Sequence, residues 1–190
     1  MRGRINQVER TVKKKRKETL AGIAFLLTCL ALSCSDDLAG NQDSFAETTK
    51  TAPAVFPAPS GTTHEALVVK VIDGDTVELA SGERVRYIGM DTPEMGPPPK
   101  CGAEAARARN RQLVEGKLVE LLPGPEDRDV YGRLLRYVFA AQTFVNAELV
   151  SEGYALAKTY HPDEQYHELF SRLGREAEGA GRGLWRTCGW

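Results

Sequence analysis

Apolar residues recur along this chain with two different spacings, and the change from one to the other separates strands from helices. Ala66 to Ile72 is rich in β-branched residues, and Thr76 to Leu79 alternates apolar with polar as a half-buried strand does. Asp73-Gly74-Asp75 between them and Ser81-Gly82 after them are turn chemistry, so the chain reverses at both. Val85, Tyr87 and Gly89 then alternate with Arg86, Ile88 and Met90 in a returning strand. Thr92-Pro93 ends it, because proline cannot donate to a ladder and restricts the residue before it. Lys117 to Leu122, stopped by Pro123-Gly124-Pro125, and Leu134 to Ala140 read as two further strands. Gly102 to Glu115, dominated by Ala, Glu, Gln, Arg and Leu, predicts a helix that stops near Gly116. Val145 to Ser151 predicts a short helix with Gly153 as its C-terminal cap. Tyr166, Leu169, Phe170, Leu173 and Ala177 then form one apolar stripe at i, i+3, i+4, i+7 and i+11. Asp163 is placed to cap this helix, and Gly179, Gly181 and Gly183 to end it.

Three strands, a helix, two strands and two helices predict an α+β domain that is mainly β. The order suits a five-stranded OB-type Greek-key barrel with three helices.

The front of the chain lacks this patterning. Arg2, Arg4, Arg10 and the run Lys13 to Lys17 form a basic region, and Leu20 to Ser33 is a 14-residue, mostly apolar stretch. A membrane span needs about 20 such residues, so residues 1–34 read as a secretory signal. Ala31-Leu32-Ser33-Cys34 resembles the bacterial lipoprotein cleavage box, with Ala where Leu is usual. Cys34 is therefore a candidate for lipidation and membrane attachment, the alternative being ordinary cleavage and release. Residues 35–64, rich in Ala, Thr, Pro and Ser, bury too little apolar surface to offset ordering and are expected to form a flexible tether. That leaves residues 65–190 as the folded domain.

Removing the signal changes the charge. The whole chain carries a formal −1, but residues 35–190 hold 17 basic and 24 acidic residues, a formal −7. Such a chain has no general attraction for a polyanion, so any phosphate binding must come from a few placed cations. Export also bears on Cys101 and Cys188, an even pair without a CxxC motif or a histidine at ligand spacing. They are expected to form a disulfide rather than a zinc site. Nothing implies a protein partner, and a monomer is expected.

Asp73, Asp75, Asp91 and Glu94 flank the first hairpin at its open end, and Arg86 sits on the returning strand. Glu78 and Glu83, nearer the turn, are expected to face solvent. Carboxylates beside hydroxyl and carbonyl oxygens suit Ca²⁺ or Mg²⁺. An EF-hand is excluded, because the twelfth position counted from Asp73 is Arg84 and not Glu. Taken singly, Asp73 to Asp75 is a turn, Asp91-Thr92-Pro93-Glu94 a loop ahead of a helix, and Arg133 a surface ion-pair residue. Their joint occurrence with Arg86, in this order, is the distinctive feature.

Six segments, VIDGDTVEL, VRYIGMDTPE, CGAEA, DVYGR, VNAELVSEGYA and GLW, make the chain resemble the staphylococcal nuclease (thermonuclease) family over roughly residues 66–186. The resemblance implies an OB-type barrel with three helices and a Ca²⁺-dependent phosphodiesterase acting on DNA and RNA. Asp75 and Asp91 resemble the family's carboxylate ligands to calcium, and Thr92 the residue whose backbone carbonyl joins them, with Asp73 behind. Glu94 matches the proposed general base, Arg86 and Arg133 the two phosphate-binding arginines, and Tyr131 a hydroxyl donor to a terminal phosphate. The family's basic residue before that tyrosine is Val130 here, and its base-stacking tyrosine falls where Lys158 or Tyr160 stands. A rival reading is an OB-type module that kept the fold and lost catalysis, binding nucleic acid or a partner in the cell envelope. The complete catalytic set favours the enzyme.

Overall fold

The computed structural model describes residues 56–190; the signal, Cys34 and most of the tether lie outside the described residues. In chain order the elements are β1 (His64–Val71), β2 (Thr76–Leu79), β3 (Arg84–Tyr87), β4 (Met90–Asp91), α1 (Ala103–Val114), β5 (Leu118–Arg128) and β6 (Leu134–Ala140). They continue with β7 (Thr143–Phe144), α2 (Val145–Ser151), β8 (Leu156–Ala157), α3 (His167–Gly179) and α4 (Leu184–Thr187). Antiparallel pairing runs β3-β2-β1-β5-β6, and a parallel pairing of β3 with β6 closes the five strands into the expected OB-type barrel. The three expected helices are present, followed by the single turn α4.

β1 shows how the chain fills this barrel. Val68 and Val71 are both fully buried although three positions apart, a spacing that would put them on opposite faces of a regular strand. The ladder with β2 slips between Val68 and Lys70, and this bulge turns both side chains inward. Around them the core gathers Val77, Val85, Tyr87, Val119, Tyr137 and Val138 from the other barrel strands.

Aromatic rings fasten the helices beneath the barrel. Tyr137 of β6 meets Tyr166 edge-on at 4.7 Å, Phe144 meets Tyr166 at 4.8 Å, and Phe139 stacks on Phe144 at 4.4 Å. Such pairs contribute roughly 0.5–1.5 kcal/mol each beyond their buried area. The buried Asn146 of α2 adds a polar fastening. Its Oδ1 accepts the Val138 N–H at 2.9 Å and its Nδ2 donates to the Ile88 carbonyl at 2.9 Å, so one amide joins α2, β6 and the end of β3. Truncating it would leave two backbone groups unpaired, at about 1–3 kcal/mol each.

Three local expectations change. β5 does not stop at Leu122 but continues through Pro123 and Pro125 to Arg128. Its ladder with β6 is irregular between Pro123 and Arg128, which accommodates residues that cannot donate. Asp163 does not cap α3, whose first flanking residue is Tyr166. It is instead buried under β5, where its Oδ1 accepts the Glu126 N–H at 3.3 Å. Finally, the end of the stretch read as tether packs on the domain. Phe56 lies edge-on to Phe144 at 6.5 Å, and Ser60 accepts a bond from Gln165 at 2.9 Å. Phe56 is one of that stretch's few large apolar residues, and the groove beside Phe139 and Thr143 shelters it.

Cys101, just ahead of α1, is bonded to Cys188, just after α4. The bridge spans 87 positions of chain, and a loop near that length restrains the unfolded state by about 4–5 kcal/mol in the entropic account. Cys188→Ser is therefore expected to lower unfolding free energy by about 4 kcal/mol. Urea titration of the oxidised wild type and the variant reads this directly, and a loss below about 1 kcal/mol would mean that the α4 end is held by packing alone.

Candidate active site

The site begins at the tight turn between β1 and β2. Asp73 Oδ1 accepts the Asp75 N–H at 3.1 Å, Ile72 N–H bonds the Thr76 carbonyl at 2.9 Å, and the Asp75 carbonyl receives the Tyr87 N–H at 2.9 Å. Gly74 is required here. A Cβ at this position would come within 2.7 Å of the Thr92 side chain, so only glycine lets the turn press against the segment after β4. That contact carries chemistry, because Asp75 Oδ2 accepts both the Thr92 N–H and the Thr92 hydroxyl, each at 2.9 Å. From α1, Asn110 braces the same turn, its Nδ2 donating to the Asp73 carbonyl at 3.1 Å and its Oδ1 accepting the Tyr87 hydroxyl at 3.0 Å.

Arg86 reaches across from β3. Its guanidinium pairs with Asp75 and, through Nη2 at 2.7 Å, with Asp91 Oδ1. Asp75 is buried, Arg86 nearly so and Asp91 half-buried, so these charges meet in a medium that screens them poorly. On its other oxygen Asp91 accepts Lys158 Nζ at 2.9 Å. Burial pushes the Asp91 carboxyl up, but Lys158 and Arg86 outweigh it and hold the group below its ordinary value. Burial is stronger for Asp73, which stays raised despite the Thr76 bonds and the Arg86 charge.

Arg133 arrives from the start of β6. Its Nε pairs with Asp129 Oδ2 at 2.6 Å, while Asp129 Oδ1 receives the Tyr131 and Arg133 backbone N–H groups at 2.9 Å each. Burial raises Asp129, and the bonds from Arg133 more than reverse it, so the carboxyl is held low and remains a partner for Arg133. Barrel closure brings this loop to the hairpin, because Arg86 stands opposite Leu135 in the β3–β6 pairing. The Arg133 guanidinium also lies 5.4 Å from the exposed Tyr131 ring.

A cavity of about 590 Å³ opens over these groups, and Asp75, Arg86, Asp91, Glu94, Tyr131 and Arg133 all line it. Thr92 lies behind its wall, bonded to Asp75. The disulfide stands outside it, beside a neighbouring depression that shares Asp91 and Lys100. Glu94 is exposed at the rim, where solvent water has access.

Among the described residues, no three His, Cys, Asp or Glu side chains converge as a metal cage. A metal here would rest on two carboxylates and a backbone carbonyl. That donor set fits a hard divalent cation, because Asp75 and Asp91 already converge on one cationic group, the Arg86 guanidinium. Sequence reasoning gave no role to Asn110 or Asp129, and named Lys158 only as a place where the family's base-stacking tyrosine falls. Asn110 and the Asp129 carboxylate position other groups, and Lys158 brings a further cation to Asp91, with the half-exposed Tyr160 at the cavity rim. Asp129 had a signal, its place four residues before Arg133; nothing in the sequence pointed Lys158 to Asp91, and Asn110 had no signal.

Comparison with known proteins places the chain among nucleases. The family described as "Staphylococcal nuclease homologue" matches residues 84–187, from β3 to the end of α4. Thermonuclease of Staphylococcus intermedius is 36% identical over 125 residues, covering 63% of this chain and 74% of that protein. Thermonuclease of Staphylococcus hyicus is 34% identical over 125 residues, covering 62% and 73%. Endonuclease YncB of Bacillus subtilis (strain 168) is 36% identical over 129 residues, covering 64% and 61%.

Proposed function

The chain belongs to the staphylococcal nuclease family and is a nuclease, hence a phosphodiesterase; on that premise we propose that it is an exported, calcium-dependent enzyme that hydrolyses DNA and RNA by in-line attack of water on phosphorus. The observation that carries this reading is the convergence of Asp75, Asp91, Arg86, Arg133 and Glu94 on one cavity from three separate parts of the chain.

Each group has a physical task in such a reaction. When hydroxide attacks a phosphodiester, negative charge grows on the equatorial oxygens, and cations already aimed there lower the barrier without reorganising. Arg86 and Arg133 supply such cations with planar donor forks, which can hold two phosphate oxygens at once. Both are oriented beforehand by carboxylates, Arg86 by Asp75 and Asp91, and Arg133 by Asp129. Glu94, at the rim, takes the proton of the attacking water. Asp75, Asp91 and the Thr92 carbonyl would hold calcium, which when bound supplies further positive charge to a phosphoryl oxygen. Tyr131 offers a hydroxyl to a terminal phosphate.

Within this reading, residues 1–34 direct export and the part of 35–64 ahead of Phe56 spaces the domain from the envelope, with Cys34 as the lipid-bearing residue if the chain stays attached. The test is digestion of plasmid and single-stranded DNA by the mature chain, first with Ca²⁺ and then with excess chelator. Cleavage that appears with calcium and stops on chelation is expected. Cleavage indifferent to chelator would overturn the metal assignment, and no cleavage under either condition would overturn the enzyme.

A further inference from the structure

Lys158 is joined to the site through Asp91, yet the reaction just described gives it no task. Its backbone is fixed by the short β4–β8 ladder, in which Met90 pairs with Ala157 and Asp91 with Leu156. The Lys158 N–H extends that ladder to the Gly89 carbonyl at 3.0 Å. From this anchor the ammonium reaches Asp91 Oδ2 at 2.9 Å and lies 5.3 Å from the Tyr160 ring. About half of the side chain remains exposed, on the wall of the same cavity.

One continuous polar chain connects it to the other cations. Arg133 Nη1 contacts the Thr76 hydroxyl at 3.5 Å, Thr76 donates to Asp75 Oδ1 at 3.1 Å, and Asp75 pairs with Arg86. Arg86 pairs in turn with Asp91, and Asp91 with Lys158. Arg133 and Lys158 therefore stand at opposite ends of the row, with Arg86 between them. The scissile phosphodiester engages Arg86 and Arg133, whereas a polynucleotide presents a further phosphate beyond them, toward Lys158. In a domain of net negative charge, a row of placed cations is what a polyanion can follow.

Resting on the nuclease reading, we propose that Lys158 binds the phosphate next to the scissile one and so extends the site along a nucleic acid strand. An ammonium suits this place better than a guanidinium, since a neighbouring phosphate on a mobile strand needs a point charge and not a fixed fork.

The test is equilibrium binding of a fluorescent single-stranded oligothymidylate in the Glu94→Gln background, with saturating calcium and across a range of sodium chloride concentrations. Adding Lys158→Met is expected to weaken binding about tenfold at low salt, the size of one charge-assisted contact. It should also reduce the slope of log affinity against log salt by about 0.7, the release of one counterion from a single strand. Lys158→Arg should retain most of both. A merely structural lysine would not change the slope, and matched thermal midpoints exclude misfolding. If Lys158→Met leaves affinity and slope unchanged while Glu94→Gln itself binds, this proposal is overturned and the nuclease reading stands. It is overturned equally if the variant only tightens calcium, because Lys158 would then serve to neutralise Asp91. If Glu94→Gln does not bind the strand at all, the proposed function and this extension fall together.

Discussion

With Arg86 replaced by alanine, kcat/KM for DNA at saturating calcium is expected to fall by about a thousandfold. Loss of one preorganised donor at a developing oxyanion costs about 10² to 10³ in rate, and Arg86 contributes a full charge as well as its bonds. The loss should appear chiefly in kcat, because phosphate oxygens gain charge on the way to the transition state and the arginine is worth most there. Arg86→Lys separates the two components. It retains a charge near Asp75 and Asp91 but has no planar fork, and recovery of only part of the activity is expected. Steady-state kinetics on a defined oligonucleotide provide the measurement. Unchanged kcat in Arg86→Ala would show that the guanidinium serves only its two carboxylates, and the phosphate clamp would have to be sought elsewhere.

That substitution also bears on the fold, since Arg86 neutralises a buried carboxylate. Asp75 would keep the Thr92 and Thr76 bonds but lose its counter-charge. Breaking a buried pair by removing one partner typically costs about 3–5 kcal/mol. Kinetic comparison therefore needs a melting curve beside it, taken with and without calcium.

Glu94→Gln is expected to reduce kcat by about 10² to 10⁴, the usual worth of a positioned general base. Here the fold should not respond. Glu94 is exposed, and its backbone carbonyl, which accepts the Lys100 N–H at 3.1 Å, is unaltered by the change. Exposed substitutions of this kind usually stay within about 0.5 kcal/mol. Near-normal stability with activity lowered at least a hundredfold is thus the expected pair of results. Activity within a factor of a few of wild type would remove Glu94 from its role and leave the proton to solvent.

Those two residues illustrate how much of the site is legible in the chain. Arg86 lies on a strand whose alternation is plain, and Glu94 follows a Thr-Pro break that ends that strand, so both positions are set by neighbours a few residues away. The same holds for Asp75, set by turn chemistry, and for the apolar stripe of α3, where Tyr166, Phe170, Leu173 and Ala177 are all buried. Asp163 departs from expectation because an aspartate ahead of a helix ordinarily caps it. Its burial under β5 depends on the close approach of Gly124, where a side chain would collide with the Asp163 carboxylate. The course of β5 through two prolines is likewise hidden from the sequence, since tolerance for a missing donor depends on the irregular ladder with β6.

The division between the two levels follows the range of the forces. Strand alternation, helix stripes, turn residues and the order of acidic and basic groups rest on interactions within a turn or a pleat, and these the chain carries openly. Which of these groups come together from distant parts of the chain is decided by the closed barrel. The parallel β3–β6 pairing brings Arg133 to the hairpin, and the β4–β8 ladder carries Lys158 across 67 positions to Asp91. No periodicity marks a lone lysine after a two-residue strand, because its meaning arises only when distant backbone segments bond and fix where its charge stands.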